Sequence, residues 1–353
     1  MQGERPVTDR SVPLVVLYAR KDAFGDGLLR IPALRAARTA FPDSRIVYGA
    51  GGGSSLESVL RRHVDHLVDD FRTETPLIDI IREMRPRRRP AAIVDFRNVV
   101  PWLLATRFGL VGRRIRYEAN FPGFLLSAPL WTIPGARPEH NAWRYHRMVE
   151  RTAGSSLPFD HTLSVPEAAR ARARDIVGMF DRPLVLISAN SGPRKRLTDQ
   201  QAAMVAKKLI DEGSRVIYLQ SPGKGPTMEA LEPLEPRLTV VGPSPELAPE
   251  ELQDLFLALG EVAAAFIGAE GGMTHFLSTV MTPTVVLNPG SNIRRWRPLS
   301  GMVEVVEAGD GSNENKDPAA ILAAVHRLIQ AGRRDHPDYL SRSAPLSMHS
   351  GAR

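Results

Sequence analysis

The stretch Phe266 to Ser291, FIGAEGGMTHFLSTVMTPTVVLNPGS, decides how the chain folds. An apolar run ends on Glu270 and two glycines, a segment carrying His275 then reads as a helix, and a second β-branched run ends at Pro289-Gly290-Ser291. Short apolar runs bounded by glycine and proline are the pattern of strands buried on both faces. Strand, helix and strand in such quick succession form the βαβ unit of a parallel sheet.

The same pitch extends outward from this stretch. In the first half VPLVVLYA (12–19), RIVYGAGGG (45–53), VDHLVDD (64–70) and AAIVDFRN (91–98) read as strands, with helices expected at 28–41, 55–63 and 76–84. The region 118–165 is less regular, and 141–154 is its one clear helix. A second α/β series opens with LVLISAN (184–190). It continues through a helix at 198–213, strands at 215–221 and 238–242, a helix at 249–262, strands at 263–269 and 283–290, and a last helix near 317–331. A length of 353 residues suits two such domains, expected at 1–165 and 166–332. The remainder, 333–353, is polar, has no sustained period and reads as a mobile tail.

Composition removes several classes of function. The chain has no cysteine, which excludes a disulfide framework, a thiolate nucleophile and a sulfur-ligated metal. No window approaches the ~18 consecutive apolar residues of a membrane span. The charged start MQGERPVTDR lacks the hydrophobic stretch of a signal peptide, so a cytoplasmic protein is expected. The net charge of +7 is unevenly spread, with arginines concentrated at 82–90 and 107–120. That concentration fits either a solvated face or an anionic partner. No nucleic-acid-binding motif accompanies it, so nucleic acid is not an expected partner.

Ligands of open parallel sheets sit beyond the carboxyl ends of the strands, which directs attention to three loops. After the first strand, Asp26 stands between Gly25 and Gly27. It either caps a helix beginning at Gly27 or presents a carboxylate where backbone can approach a ligand. In SANSGPRKRLTDQQ (188–201), Ser188 and Asn190 are small polar residues that let amides near a phosphate. Arg194, Lys195 and Arg196 add positive charge, and Thr198 opens a helix. A solvated, capped helix start is the alternative there. In the opening stretch, Gly271 and Gly272 shape a tight turn, and the amides of Met273 to His275 lie at a helix N-terminus where an anion is stabilised. His275 adds either a hydrogen bond to a ligand or a packed core ring. Two other glycine loops carry less: GAGGGSS (49–55) has Ser54 where a dinucleotide fingerprint needs its third glycine, and SPGKGPT (221–227) lacks P-loop spacing. The former reads as a flexible loop lining a cleft.

Three segments together resemble glycosyltransferase family 9, the group of the lipopolysaccharide heptosyltransferases. GDGLLRIPALRAARTAFPDSRIVYGAGG is similar to the family's opening Gly-Asp, proline-led helix and Phe/Tyr-Pro turn. ISANSGPRKRLTDQQAAMVAKKLIDEG is similar to the loop whose lysine precedes a helix in the second domain. FIGAEGGMTHFLSTVMTPTVVLNPGSNIRRWRPL is similar to the family's Asp-(Ser/Thr)-Gly-x-x-His helix start, Pro-Thr strand and Trp-x-Pro. The resemblance implies a GT-B fold, two Rossmann-like parallel-sheet domains facing across a cleft. It also implies an inverting, metal-independent and cofactor-free transfer of a sugar, from an ADP-heptose type of donor, to an acceptor hydroxyl. Asp26 takes the position of the family's catalytic carboxylate and Lys195 that of its phosphate-contacting lysine. Gly272, Met273, Thr274 and His275 take the positions that wrap the diphosphate. Gly25, Gly27, Ser188, Asn190, Arg194, Glu270 and Gly271 complete the expected nucleotide-sugar site. The implied acceptor is a glycan, glycolipid or small molecule, anionic if the arginine-rich segments face it, with peripheral contact at the inner membrane surface. Two departures stand out. Glu270-Gly271 replaces the family's Asp-Ser/Thr pair, and the acidic residue near the nucleoside has no counterpart in PGKGPT. These departures leave two rivals open: a nucleotide-binding scaffold without transfer, and an epimerase or phosphorylase of the same fold.

Overall fold

The computed structural model describes residues 12–84, 91–97, 115–119, 140–178, 182–189, 195, 197–221, 230–234, 236–307 and 316–335. The chain divides into two compact units, Met1–His161 and Thr162–Arg353.

In the first unit five parallel strands order as β3-β2-β1-β4-β5. They are β1 (Leu14–Ala19), β2 (Arg45–Ala50), β3 (Asp70–Arg72), β4 (Ala91–Asp95) and β5 (Ile115–Ala119). β1 is buried at every residue, as a strand paired on both edges and covered on both faces must be. It leads into α1 (Phe24–Leu28) and α2 (Ile31–Ala40), the latter carrying Pro32 in its first turn, where the missing amide costs nothing. The short α3 (Arg61–Val64) and α4 (Leu77–Met84) follow. α5 (Asn141–Ala153) packs on α2. It is capped by the His140 ring accepting from the Ala142 amide at 3.2 Å, and it stops at Gly154 with φ 76°.

The second unit holds six parallel strands in the order β11-β10-β9-β6-β7-β8. These are β6 (Leu184–Ser188), β7 (Arg215–Leu219), β8 (Leu238–Val241), β9 (Ala265–Ala269), β10 (Thr284–Asn288) and β11 (Val303–Glu307). Between them run α6 (Glu167–Val177), α7 (Asp199–Asp211), α8 (Pro249–Val262), α9 (Gly272–Ser278), α10 (Ile293–Trp296) and α11 (Pro318–Asp335). β6 and β9 are central neighbours, with Ser188 opposite Gly268. The stretch Phe266–Ser291 therefore spans most of β9, all of α9 and β10, with β9 and β10 adjacent and parallel.

Several expectations need correction. The helix expected at 55–63 is mostly turns, and only Arg61–Val64 is α-helical. The strand expected at 64–70 is instead β3 at Asp70–Arg72. Val64, Leu67 and Val68 are all buried at helical rather than alternate spacing, and the amides of Leu67 and Val68 both donate to the Val64 carbonyl. The last helix runs on to Asp335. β5, α6, α10 and β11 were not anticipated. In α6 the buried residues are Ala169, Ala173 and Val177, a stripe too small to stand out among alternating arginines. Of the arginine-rich segments, 85–90 and 107–114 lie outside the described residues, as does the tail beyond 335. Among the described residues no helix is long and apolar enough to cross a membrane.

Ile267, fully buried at the centre of the second sheet, tests this architecture. Ile267→Ala should cost about 2–5 kcal/mol of stability by leaving a cavity between the layers, read as a lowered denaturation midpoint of the unit that contains it.

Candidate functional site

The loop after β1 carries the candidate site of the first unit. α1 begins at Phe24, behind an extended Ala23 that supplies no side-chain cap. Asp26 is thus the third helical residue and lies within the first turn, so the reading in which it caps a helix starting at Gly27 is excluded. A carboxylate in a first turn is favoured by the helix dipole. Here it sits half-buried where the sheet's carboxyl edge meets the helix. Gly25 is half-buried beside it. Gly27 is buried for a reason internal to the fold: a Cβ would strike the Ser55 hydroxyl and come within 3.0 Å of Leu60 Cδ1. The absent side chain is thus a packing requirement of the turn.

Beneath Asp26 lies a polar network that the sequence reading missed. Asp22 is 4% exposed and accepts hydrogen bonds from the Tyr48 hydroxyl at 2.8 Å and the Ser54 hydroxyl at 2.5 Å. Its Oδ1 lies 3.1 Å from Nη1 of Arg30, which is also buried. The Arg30 guanidinium stands 5.4 Å from the centre of the Tyr145 ring, and neither its Nε nor its Nη1 has a hydrogen-bond partner among the described residues. Burial pulls the Arg30 guanidinium down, but Tyr48, Tyr145, Asp22 and Asp26 outweigh it and hold the group further above its ordinary value. Burial pushes the Tyr48 hydroxyl well up, an effect that Asp22 reinforces and Arg30 opposes. The glycine loop after β2, expected to be pliable, is tied down at its far end. Ser54 bonds Asp22, and the Ser55 hydroxyl donates to the Ala23 carbonyl at 3.1 Å. The signal for this network was present in one place only: Arg30 interrupts the apolar run Leu28, Leu29 and Ile31.

The second unit has its own candidate site at the carboxyl ends of β6 and β9. Glu270, 7% exposed, follows β9 directly, and its carboxylate accepts a hydrogen bond from the Lys195 ammonium. Lys195 itself is 42% exposed, so one side of the ammonium remains open to solvent. α9 then starts at Gly272. The Thr274 hydroxyl accepts from the Gly271 amide at 3.1 Å and donates to the Ala269 carbonyl at 2.7 Å, stitching the turn shut. The His275 amide donates to the Gly271 carbonyl at 3.2 Å, the first bond of the helix. The expected row of open amides from Met273 to His275 is corrected accordingly: the His275 amide is taken up inside the helix, and those of Gly272, Met273 and Thr274 precede the first intrahelical bond. The His275 ring is buried at 4% exposure. Ser188, at the end of β6, is also buried, and its hydroxyl has no hydrogen-bond partner among the described residues. On the far side of the same loop α7 is fixed by a full capping box between Thr198 and Gln201. Asn190, Arg194 and Arg196 lie outside the described residues. Among the described residues no group of three or more histidine, aspartate and glutamate side chains is placed to hold a metal ion.

The family model described as "Glycosyltransferase family 9 (heptosyltransferase)" matches residues 115–322. That is more than half of the chain, and the chain belongs to this family: it is a glycosyltransferase of the GT-B fold. The matched span holds the second-unit site, whereas Asp26 precedes it. No curated protein matches by sequence. Among solved structures, a family 9 glycosyl transferase from Veillonella parvula DSM 2008 superposes with a TM-score of 0.63 at 16% identity, covering 90% of this chain and 97% of that one. E. coli ADP-heptose lps heptosyltransferase II gives 0.57 at 17% identity, covering 91% and 99%. E. coli heptosyltransferase WaaC with ADP gives 0.56 at 13% identity, covering 90% and 100%. At these identities the likeness is one of fold.

The buried tyrosine yields a pH test. Unfolded, Tyr48 loses its proton near pH ~10, while the folded protein holds it to higher pH. The unfolded chain therefore gives up a proton first, and stability falls as pH rises above about 10. Tyr48→Phe, measured by thermal unfolding between about pH 9 and about pH 11, should show a lower starting stability but a shallower alkaline loss.

Proposed function

We propose that the protein is an inverting, metal-independent transferase that moves a sugar, heptose foremost, from an ADP-linked donor to an acceptor hydroxyl. The observation that carries this reading is the Lys195–Glu270 pair standing next to the open amides of α9. A fixed cation and a row of backbone donors at one strand edge suit a departing diphosphate, whose negative charge grows as the glycosidic bond breaks. They supply electrostatic stabilisation of the leaving group from protein atoms alone. Glu270, anchored directly after β9, is within reach of the same region and suits a sugar hydroxyl as hydrogen-bond donor to its carboxylate. The unpartnered Ser188 hydroxyl offers a further contact at the end of the neighbouring strand.

Asp26 takes the proton of the acceptor hydroxyl as that oxygen attacks the anomeric carbon, the glycosidic bond breaks and the nucleotide diphosphate leaves with the electron pair. Attack from the face opposite the leaving group inverts the anomeric centre. Solved relatives of the same fold include E. coli heptosyltransferase WaaC with ADP, which supports an adenine nucleotide donor and a lipopolysaccharide-type acceptor here. An anionic acceptor and peripheral contact with the inner membrane surface fit the chain's positive charge of +7.

Thermal-shift titration with ADP, UDP, GDP and dTDP tests the donor assignment. ADP at 100 times its Kd should add about 2.7 kcal/mol of stability, with smaller responses to the others. Lys195→Ala should weaken ADP binding by ~10- to 100-fold through loss of a charge-assisted bond, whereas Glu270→Gln, which frees the lysine, should leave it equal or tighter. Equal responses to all four nucleotides would discard the adenine assignment, and silence from all four would favour the non-catalytic scaffold. With ADP-heptose as donor, Asp26→Asn should retain ADP binding and lose about 10²- to 10⁴-fold in transfer rate.

A further inference from the structure

Arg30 occupies a position where an arginine is costly: it is 6% exposed, in a helical run whose neighbours Leu28, Leu29 and Ile31 form core. A guanidinium that deep must be matched by carboxylates, because the poorly solvated surroundings strengthen every Coulomb interaction it makes. The groups packed around it come from four places. Asp22 approaches from the loop after β1, 3.1 Å away, held in orientation by Tyr48 of β2 and Ser54 of the glycine loop. Tyr145 of α5 covers one face at 5.4 Å. Asp26 stands one helical turn earlier on the same stretch, since Leu29 and Arg30 continue the right-handed backbone of α1 into α2. An acid four residues N-terminal to a base is the favourable order for such a pair. Among the described residues neither Nε nor Nη1 of Arg30 has a hydrogen-bond partner, so the contact with Asp22 is one of charge and does not use up the guanidinium.

We propose that Arg30 is a positioning residue for Asp26: its buried guanidinium, divided between the carboxylates of Asp22 and Asp26, sets the pH at which Asp26 becomes a base. Asp22 is the counterweight. Its charge offsets part of the Arg30 field that reaches Asp26. The catalytic meaning of this arrangement rests on the reading of Asp26 as proton acceptor, while the electrostatic coupling does not.

The test is carbon-13 NMR of protein labelled at the aspartate side-chain carboxyls, with the Asp26 signal identified by its loss in Asp26→Asn. Arg30→Met should move the Asp26 titration midpoint up by about one pH unit, and Asp22→Asn should move it down. Arg30→Lys, which keeps the charge, should stay close to the parent. A merely structural role for Arg30 would not move the two variants in opposite directions. Equal midpoints in the parent, Arg30→Met and Asp22→Asn would overturn the proposal. If Arg30→Met does not fold, Asp22→Asn decides alone, and an unmoved midpoint there overturns it. Transfer from ADP-heptose by Asp26→Asn at the parent rate would instead remove Asp26 as base, while the shifted midpoints would leave the coupling in place.

Discussion

Parallel strand pairing is the constraint on which the rest of this molecule depends. Every strand pair among the described residues is parallel, so each strand must be followed by a crossover before the next can pair. The crossovers that leave β1, β2, β3, β6, β8, β9 and β10 carry helices, and each loop into such a helix lies at the same edge of its sheet. Asp26 follows β1, Lys195 follows β6, and Glu270 follows β9, each the consequence of this one rule applied in its own unit. The central strands β1, β6 and β9 are buried along their full lengths, which gives the loops at their ends rigid footings.

The degree to which this was legible in the sequence follows from how local each feature is. β1, α2, β6, β9 and β10 announce themselves because a strand buried on both faces is an unbroken β-branched run, and a helix beside it shows a period of its own. Edge strands carry less. β11, Val303–Glu307, is only half-buried and mixes two glutamates with three valines. Its signal falls between strand and loop. The segment 64–70 misled in the opposite way, because Val64, Leu67 and Val68 are apolar enough for a strand but are spaced for a turn of helix.

The site divides along the same line. Residues that act through their place on a loop, such as Asp26, Lys195 and Glu270, could be picked out from glycines and helix starts. The network of Asp22, Arg30, Tyr48, Ser54 and Tyr145 could not, since it is assembled from residues separated by up to the whole length of the first unit. Helix register also decided details that spacing left open. One turn's difference in where α1 begins converts Asp26 from a cap into a first-turn carboxylate, and one hydrogen bond takes the His275 amide out of the expected row of open amides.

The Lys195–Glu270 pair has a further consequence, for which anions the second unit will retain. A bare lysine beside three open amides would collect any small anion in the cell, inorganic phosphate included. With Glu270 already seated on the ammonium, an arriving anion must displace or share a buried carboxylate, and a weakly charged or singly anchored one gains too little to do so. An anion carrying several charged oxygens has more to gain at the ammonium than a singly charged one. Glu270 thus ties a half-exposed ammonium to a buried carboxylate at the end of β9, so the cation is held in place by the fold before any partner arrives.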